Sequence, residues 1–154
     1  EPFLFSGSLK ENIVYANERY KDISDEALET LLKDKELHNL LSKFEAGLST
    51  QIVTSSETMS LGQKQLIAFM RAFLREPELL ILDEATANID TVTEQLLEEI
   101  LQKLPKYTTK VIIAHRLNTI KTADEIFFVN AGVITLACSM EEAMDLLLNG
   151  TKKS

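Results

Sequence analysis

The 154-residue sequence has no tryptophan, one cysteine, three prolines and five glycines. With Cys138 alone there can be no internal disulfide and no cysteine-built zinc site, which suits a reducing compartment. So little Pro and Gly excludes a collagen-like or low-complexity chain. No run reaches the roughly 18 apolar residues that a membrane span needs. The N-terminus has no basic flank ahead of an apolar core, so it does not read as a signal peptide. There is no Lys/Arg cluster either: 16 basic against 24 acidic side chains leave a net charge of −8. That balance is poor for neutralising nucleic-acid phosphates. The expectation is therefore no nucleic-acid partner and no direct membrane insertion. An initiating methionine is also missing, and the opening Glu1-Pro2-Phe3-Leu4-Phe5 reads as a piece of a longer chain. What is present is an ordinary globular balance, 45% hydrophobic and 26% charged, enough to build a core.

Two regions differ in character. Residues 1–75 read as mostly helical with loops. Asp25 to Lys33 has helical spacing behind Ser24 as N-cap. Lys35 to Lys43 reads as another short helix, and 48–58 as loop. From Ser60 to Arg75 the spacing is helical again, with Leu66, Ile67, Met70, Phe73 and Leu74 on one face and Pro77 enforcing the stop. The second region alternates. Leu79–Leu82 is wholly apolar, as in a strand buried on both faces. Thr91–Leu104 reads as a helix, with Leu97, Ile100, Leu101 and Leu104 inward and Glu94, Glu98 and Glu99 in water. Val111–Ala114, Ile126–Val129 and Val133–Leu136 read as strands, the last two joined as a hairpin through Asn130-Ala131-Gly132. Met140–Leu148 closes the chain as a helix. Strand, helix, strand in that order implies an α/β fold with a parallel sheet. Cys138 reads as buried packing, and His38 as a surface residue without function.

Three places carry possible chemistry. Leu79–Leu82 runs into Asp83-Glu84, which puts two carboxylates at the carboxyl edge of a parallel sheet, where α/β folds bind ligands. Asp83 there suits Mg²⁺, and Glu84 suits an attacking water, the kind of positioning that phosphoryl transfer requires. A strand that simply ends in solvated acids explains the same letters. Ser60-Leu61-Gly62-Gln63 opens a helix, whose N–H groups and positive dipole end favour an anion. A plain Ser cap explains these letters too. His115 follows a strand directly and would share the edge with Asp83 and Glu84, where a neutral imidazole can hold a phosphate or a water.

Taken together and in this order, these pieces resemble the nucleotide-binding domain of ATP-binding cassette (ABC) transporters. Met59-Ser60-Leu61-Gly62-Gln63 resembles the family's signature motif, with Leu61 where Gly is usual. Leu79–Glu84 is similar to its Walker B strand and catalytic glutamate, Ala87-Asn88-Ile89-Asp90 to its D-loop, and Ala114-His115-Arg116-Leu117 to its switch histidine. Residues 1–13 resemble the stretch after the Q-loop glutamine of exporters, and 119–126 also fit the exporter pattern. The resemblance implies a P-loop NTPase-like fold: a helical, signature-bearing part over about 8–75 and a core α/β part over about 76–154. It implies ATP and Mg²⁺ as ligands. Glu84 would act as base, His115 as γ-phosphate sensor and Asp83 as metal ligand. Ser60, Gly62 and Gln63 would contact ATP held by a second nucleotide-binding domain in a head-to-tail dimer, which Asp90 would bridge. It further implies transmembrane partner domains and a place on the cytoplasmic face of a membrane.

The family's Walker A pattern, G-x-x-x-x-G-K-[ST], is nowhere in the 154 residues. That loop supplies most of the phosphate grip in such ATPases, so the chain alone is expected to be inactive. Without the strand that feeds that loop, the sheet is expected to show an open edge or apolar face. Three rival readings use the same letters. They are a soluble ABC-type ATPase of DNA repair or chromosome maintenance, a non-catalytic interaction fragment and, through Asp83-Glu84-Ala85-Thr86, a DEAD-box-like helicase. The acidic balance disfavours the first and the last.

Overall fold

A computed structural model describes residues 2–53, 59–83, 90–113 and 123–149 of the chain. They fall into two units, 1–113 and 114–154. The first runs β1 (Gly7–Ser8), α1 (Leu9–Val14), α2 (Asp25–Asp34), α3 (His38–Leu41), β2 (Gln51–Ile52), α4 (Leu61–Leu74), β3 (Leu79–Asp83), α5 (Thr91–Gln102) and β4 (Thr109–Ile113). The second holds β5 (Ile126–Asn130), β6 (Val133–Ala137) and α6 (Met140–Asn149).

Side-chain caps set the helix starts. Ser8, Ser24, Ser60 and Asp90 each accept the backbone N–H three residues on, at the heads of α1, α2, α4 and α5. Each cap satisfies one of the N–H groups that a helix start leaves without an acceptor. Gly7 lies tight against the first cap: a Cβ there would sit 2.7 Å from the Glu11 carboxylate that caps Ser8 in return. The ends of α2 and α4 fall within one residue of their expected places, but the helix between them differs. The expected Lys35–Lys43 helix shrinks to the four residues of α3. Lys35 caps α2, and Glu36 then turns left-handed, at φ 58°. Glu36 N–H bonds to Lys33 O and Leu37 N–H to Leu32 O, so the chain closes in a Schellman turn. Glu36 takes the place usually given to Gly and pairs with Lys103.

The core of this unit joins α1 through α5. Leu9, Ile13, Leu28, Leu32, Leu40, Ile67, Met70, Leu97 and Ile100 are all but fully buried in one cluster. The apolar face expected of α4 is the face it buries. Glu94 is a correction. It is buried rather than solvated, because the inward face of α5 also takes in Thr93 and Glu94 beside Leu97 and Leu101. A polar strap closes the N-terminal side. Asn12, fully buried, donates to Phe5 O and Ser8 O and accepts from Phe5 N–H. Arg71 on α4 donates to Asn12 O at 2.7 Å and to Phe3 O at 2.8 Å, and lies over the Tyr15 ring.

β3 and β4 pair in parallel, from Leu79 opposite Thr109 to Asp83 opposite Ile113. Leu80 and Leu82 face the core cluster. The alternate residues do not: Leu79 is 53% exposed, Ile81 59%, Val111 44% and Ile113 48%. The strand is therefore not buried on both faces: among the described residues the β3–β4 pair presents an open apolar face. In the second unit, β5 and β6 form an antiparallel hairpin whose two tip residues, Ala131 and Gly132, both take positive φ, as a tight hairpin turn requires. The helix α6 packs against both strands and buries Ala137 and Ala143. Phe127, Val129, Ile134 and Leu136, on the opposite face, are exposed. Cys138 is also exposed, correcting the expectation of buried packing. It stands in the bend between β6 and α6, where its N–H bonds to the Glu142 carboxylate.

Candidate functional site

The site builds up from the head of α4. Ser60 Oγ accepts Gln63 N–H at 3.1 Å, and Gln63 Oε1 accepts Ser60 N–H at 3.0 Å. This reciprocal box holds the first turn in place. Helix geometry leaves the N–H groups of Leu61 and Gly62 without an acceptor inside α4. The first turn carries no acidic residue, whereas α1, α2, α5 and α6 each carry one or two there. Gly62 keeps the rim of the turn low. A hydroxyl, two N–H groups and a positive dipole end make a surface chemically suited to a phosphate oxygen.

Gln63 reaches further. Its Nε2 donates to Lys43 O at 2.8 Å. Lys43 Nζ in turn lies 3.3 Å from Asp90 Oδ2. Asp90 caps α5: Oδ1 accepts Thr93 N–H at 3.0 Å, and Oδ2 accepts the Thr93 hydroxyl at 2.7 Å. The Thr93 hydroxyl first, then Thr93 N–H, with Lys43 adding to both, hold the Asp90 carboxyl down at about 2. Ser60, Gln63 and Asp90 are thus joined through a residue that sequence reasoning did not single out. Nothing in the sequence flags Lys43, since its ion-pair partner lies 47 positions away.

Asp83 is the last residue of β3, exposed and opposite the last residue of β4. The two strands run in parallel and end together, so their chains leave the sheet at one edge. Asp83 offers an oxygen donor suited to a hard cation such as Mg²⁺, which is commonly held by one or two carboxylates plus phosphates. Glu84, the next residue, and His115, two residues after Ile113, lie outside the described residues. Among the described residues no cluster of three metal-ligating side chains occurs.

Comparison with known proteins gives the family. The ABC transporter family matches residues 3–87, more than half of the chain. The chain belongs to the ABC transporter family. It is 46% identical over 132 residues to the ABC transporter ATP-binding protein YfiC of Bacillus subtilis, covering 86% of this chain and 21% of that protein. Over 149 residues it is 39% identical to ABC transporter C family member 3 of Dictyostelium discoideum, covering 97% of this chain and 10% of the relative. Multidrug resistance protein 1 of Entamoeba histolytica is also 39% identical, over 146 residues, with 95% and 11% covered. The chain therefore spans about a tenth to a fifth of the length of these relatives. The family carries a P-loop NTPase fold, and the helical unit with its parallel β3–β4 pair is a mixed α/β part of it. Among the described residues no helix is long and apolar enough to cross a membrane.

Proposed function

We propose that this chain is the signature-bearing and Walker B part of a nucleotide-binding domain that hydrolyses MgATP to drive export across a membrane. The single observation that carries the reading is the head of α4, a reciprocal Ser60–Gln63 cap on a first turn without acidic residues. Ser60, Gly62 and Gln63 would meet the phosphates of an ATP whose other side is gripped by the P-loop of a second nucleotide-binding domain. Asp90 would bridge the two domains. Asp83 would hold Mg²⁺, which would supply positive charge to offset that of the phosphates. Glu84 would take the proton of the attacking water, and His115 would hold the γ-phosphate by a hydrogen bond. No P-loop pattern occurs in the 154 residues, so the chain would work only alongside a segment that has one. Transmembrane domains would complete the transporter, with this domain on their cytoplasmic face. The transporter and multidrug-resistance names of the relatives favour transport over a soluble role in DNA repair.

The test is Glu84→Gln in the full-length protein. Removing the base while keeping the shape should leave ATP binding within about twofold and lower turnover by about 10²–10⁴-fold, the usual worth of a positioned general base. Turnover like that of the wild type would remove Glu84 from the mechanism.

A further inference from the structure

We propose that Lys43 is a positioning residue that ties the head of α4 to the head of α5. The inference rests on the reading that Ser60 and Asp90 serve a nucleotide site. Lys43 lies in the turn after α3, between Leu40 and Phe44, which are 0% and 4% exposed. Its N–H bonds to Leu40 O, so the main chain at this point is fixed by the core. Two groups of this one residue reach two helix starts. The carbonyl accepts Gln63 Nε2, and the ammonium pairs with Asp90 Oδ2. Gln63 is also the side chain that holds Ser60 N–H. A continuous polar path therefore runs Ser60, Gln63, Lys43, Asp90, Thr93. It crosses gaps of 20 and 47 positions in sequence.

The ion pair is half in solvent, with Lys43 and Asp90 side chains 39% and 57% exposed. A pair so exposed adds little to folding stability. Its effect is on orientation. Thr93 engages both Asp90 oxygens on the helix side, and Lys43 fixes the side from which the remaining lone pairs of Oδ2 are approached. Asp90 is thereby linked to Ser60 through Lys43 and Gln63. Without Lys43 the cap of α5 survives, because Thr93 is untouched. What is lost is the link between the two helix starts.

The experiment measures MgATP hydrolysis by the full-length protein over a range of ATP concentrations, with Lys43→Met, Lys43→Arg, Asp90→Asn and the Lys43→Met/Asp90→Asn double variant. Lys43→Met should lower kcat about two- to fivefold, the range an exposed ion pair can supply, with KM unchanged within about twofold. Lys43→Arg should restore most of the loss, and high salt should narrow the gap between wild type and Lys43→Met by screening the pair. The double variant should be no slower than the slower single variant. If Lys43→Met does not fold, Lys43→Gln keeps a polar side chain and serves in its place. Wild-type turnover in Lys43→Met beside an impaired Asp90→Asn overturns the role of Lys43 alone, and so do losses that multiply in the double variant. Wild-type turnover in Asp90→Asn instead overturns the nucleotide-site reading of Asp90, and the proposal with it.

Discussion

Ser60 is both a helix cap and a proposed phosphate contact, and two substitutions separate those roles. Ser60→Ala removes the Oγ that accepts Gln63 N–H. The return bond from Ser60 N–H to Gln63 and the Gln63 bond to Lys43 do not need that hydroxyl. The buried residues of α4 begin at Leu66, so fraying of the first turn costs a cap and not a core. The loss should be about 1 kcal/mol, or about 2–4 °C in melting temperature for a domain of this size. Ser60→Asp keeps a good cap and adds about 0.3–1 kcal/mol by placing a carboxylate at the positive end of the helix. Stability should therefore run Asp at or above Ser, then Ala. Activity should run differently. A carboxylate about 4 Å from a phosphate oxygen at an effective dielectric of about 20 repels it by about 4 kcal/mol. That is about a thousandfold loss in turnover, against a modest loss for Ala. The assay is MgATP hydrolysis by the full-length protein beside thermal unfolding of this chain, each with Asp, Ser or Ala at position 60. Activity that follows stability across Asp, Ser and Ala would refute the phosphate contact and leave Ser60 a cap only.

Two further predictions concern the scaffold. Arg71→Met leaves Phe3 O and Asn12 O without their charged donor and should cost about 2–3 kcal/mol in urea unfolding. Arg71→Lys should recover little of it, since an ammonium lacks the fork that reaches both carbonyls, and a loss below about 0.5 kcal/mol for Met would contradict the strap. Acid should destabilise the fold, because Glu11, Glu76 and Asp90 all sit below their ordinary values of 4.5, 4.5 and 3.8, held there first by Ser8 N–H, Lys35 and the Thr93 hydroxyl respectively. Groups with depressed folded values stabilise fully above their unfolded values, and that stability is lost as pH falls below them. Melting temperature should drop on acidification below about 4.5, with the Asp90 share lost between 3.8 and about 2 and absent in Asp90→Asn, and a flat profile from 5 to 2 would contradict the assignment.

What the sequence made legible follows its local chemistry. Ser24 and Ser60 marked helix starts because a cap needs only its own next three residues. Leu79–Leu82 and Val111–Ala114 marked the parallel pair through unbroken apolar runs, with Ala114 outside the described residues. The extent of α3 was harder. Glu36 turns left-handed where Gly is the usual signal and pairs with Lys103, a partner remote in sequence. The two-residue strands β1 and β2 carry no periodicity, because their pairing depends on a contact about 44 positions apart. Ser60, Gln63 and Asp90 were visible as motif letters. That they form one connected path was not, since Lys43 owes its place to the fold of α3 onto the core. Cys138 was misjudged because free Cys is usually buried, and here a bend after β6 turns it outward.

The most direct measurement is MgATP hydrolysis by this chain alone and after addition of a P-loop-bearing segment of the same protein, with folding and association followed in parallel. The account predicts no turnover from the chain alone, turnover on complementation, and loss of that turnover in Glu84→Gln. Turnover by the chain alone, or silence from a folded and associated pair, would contradict it.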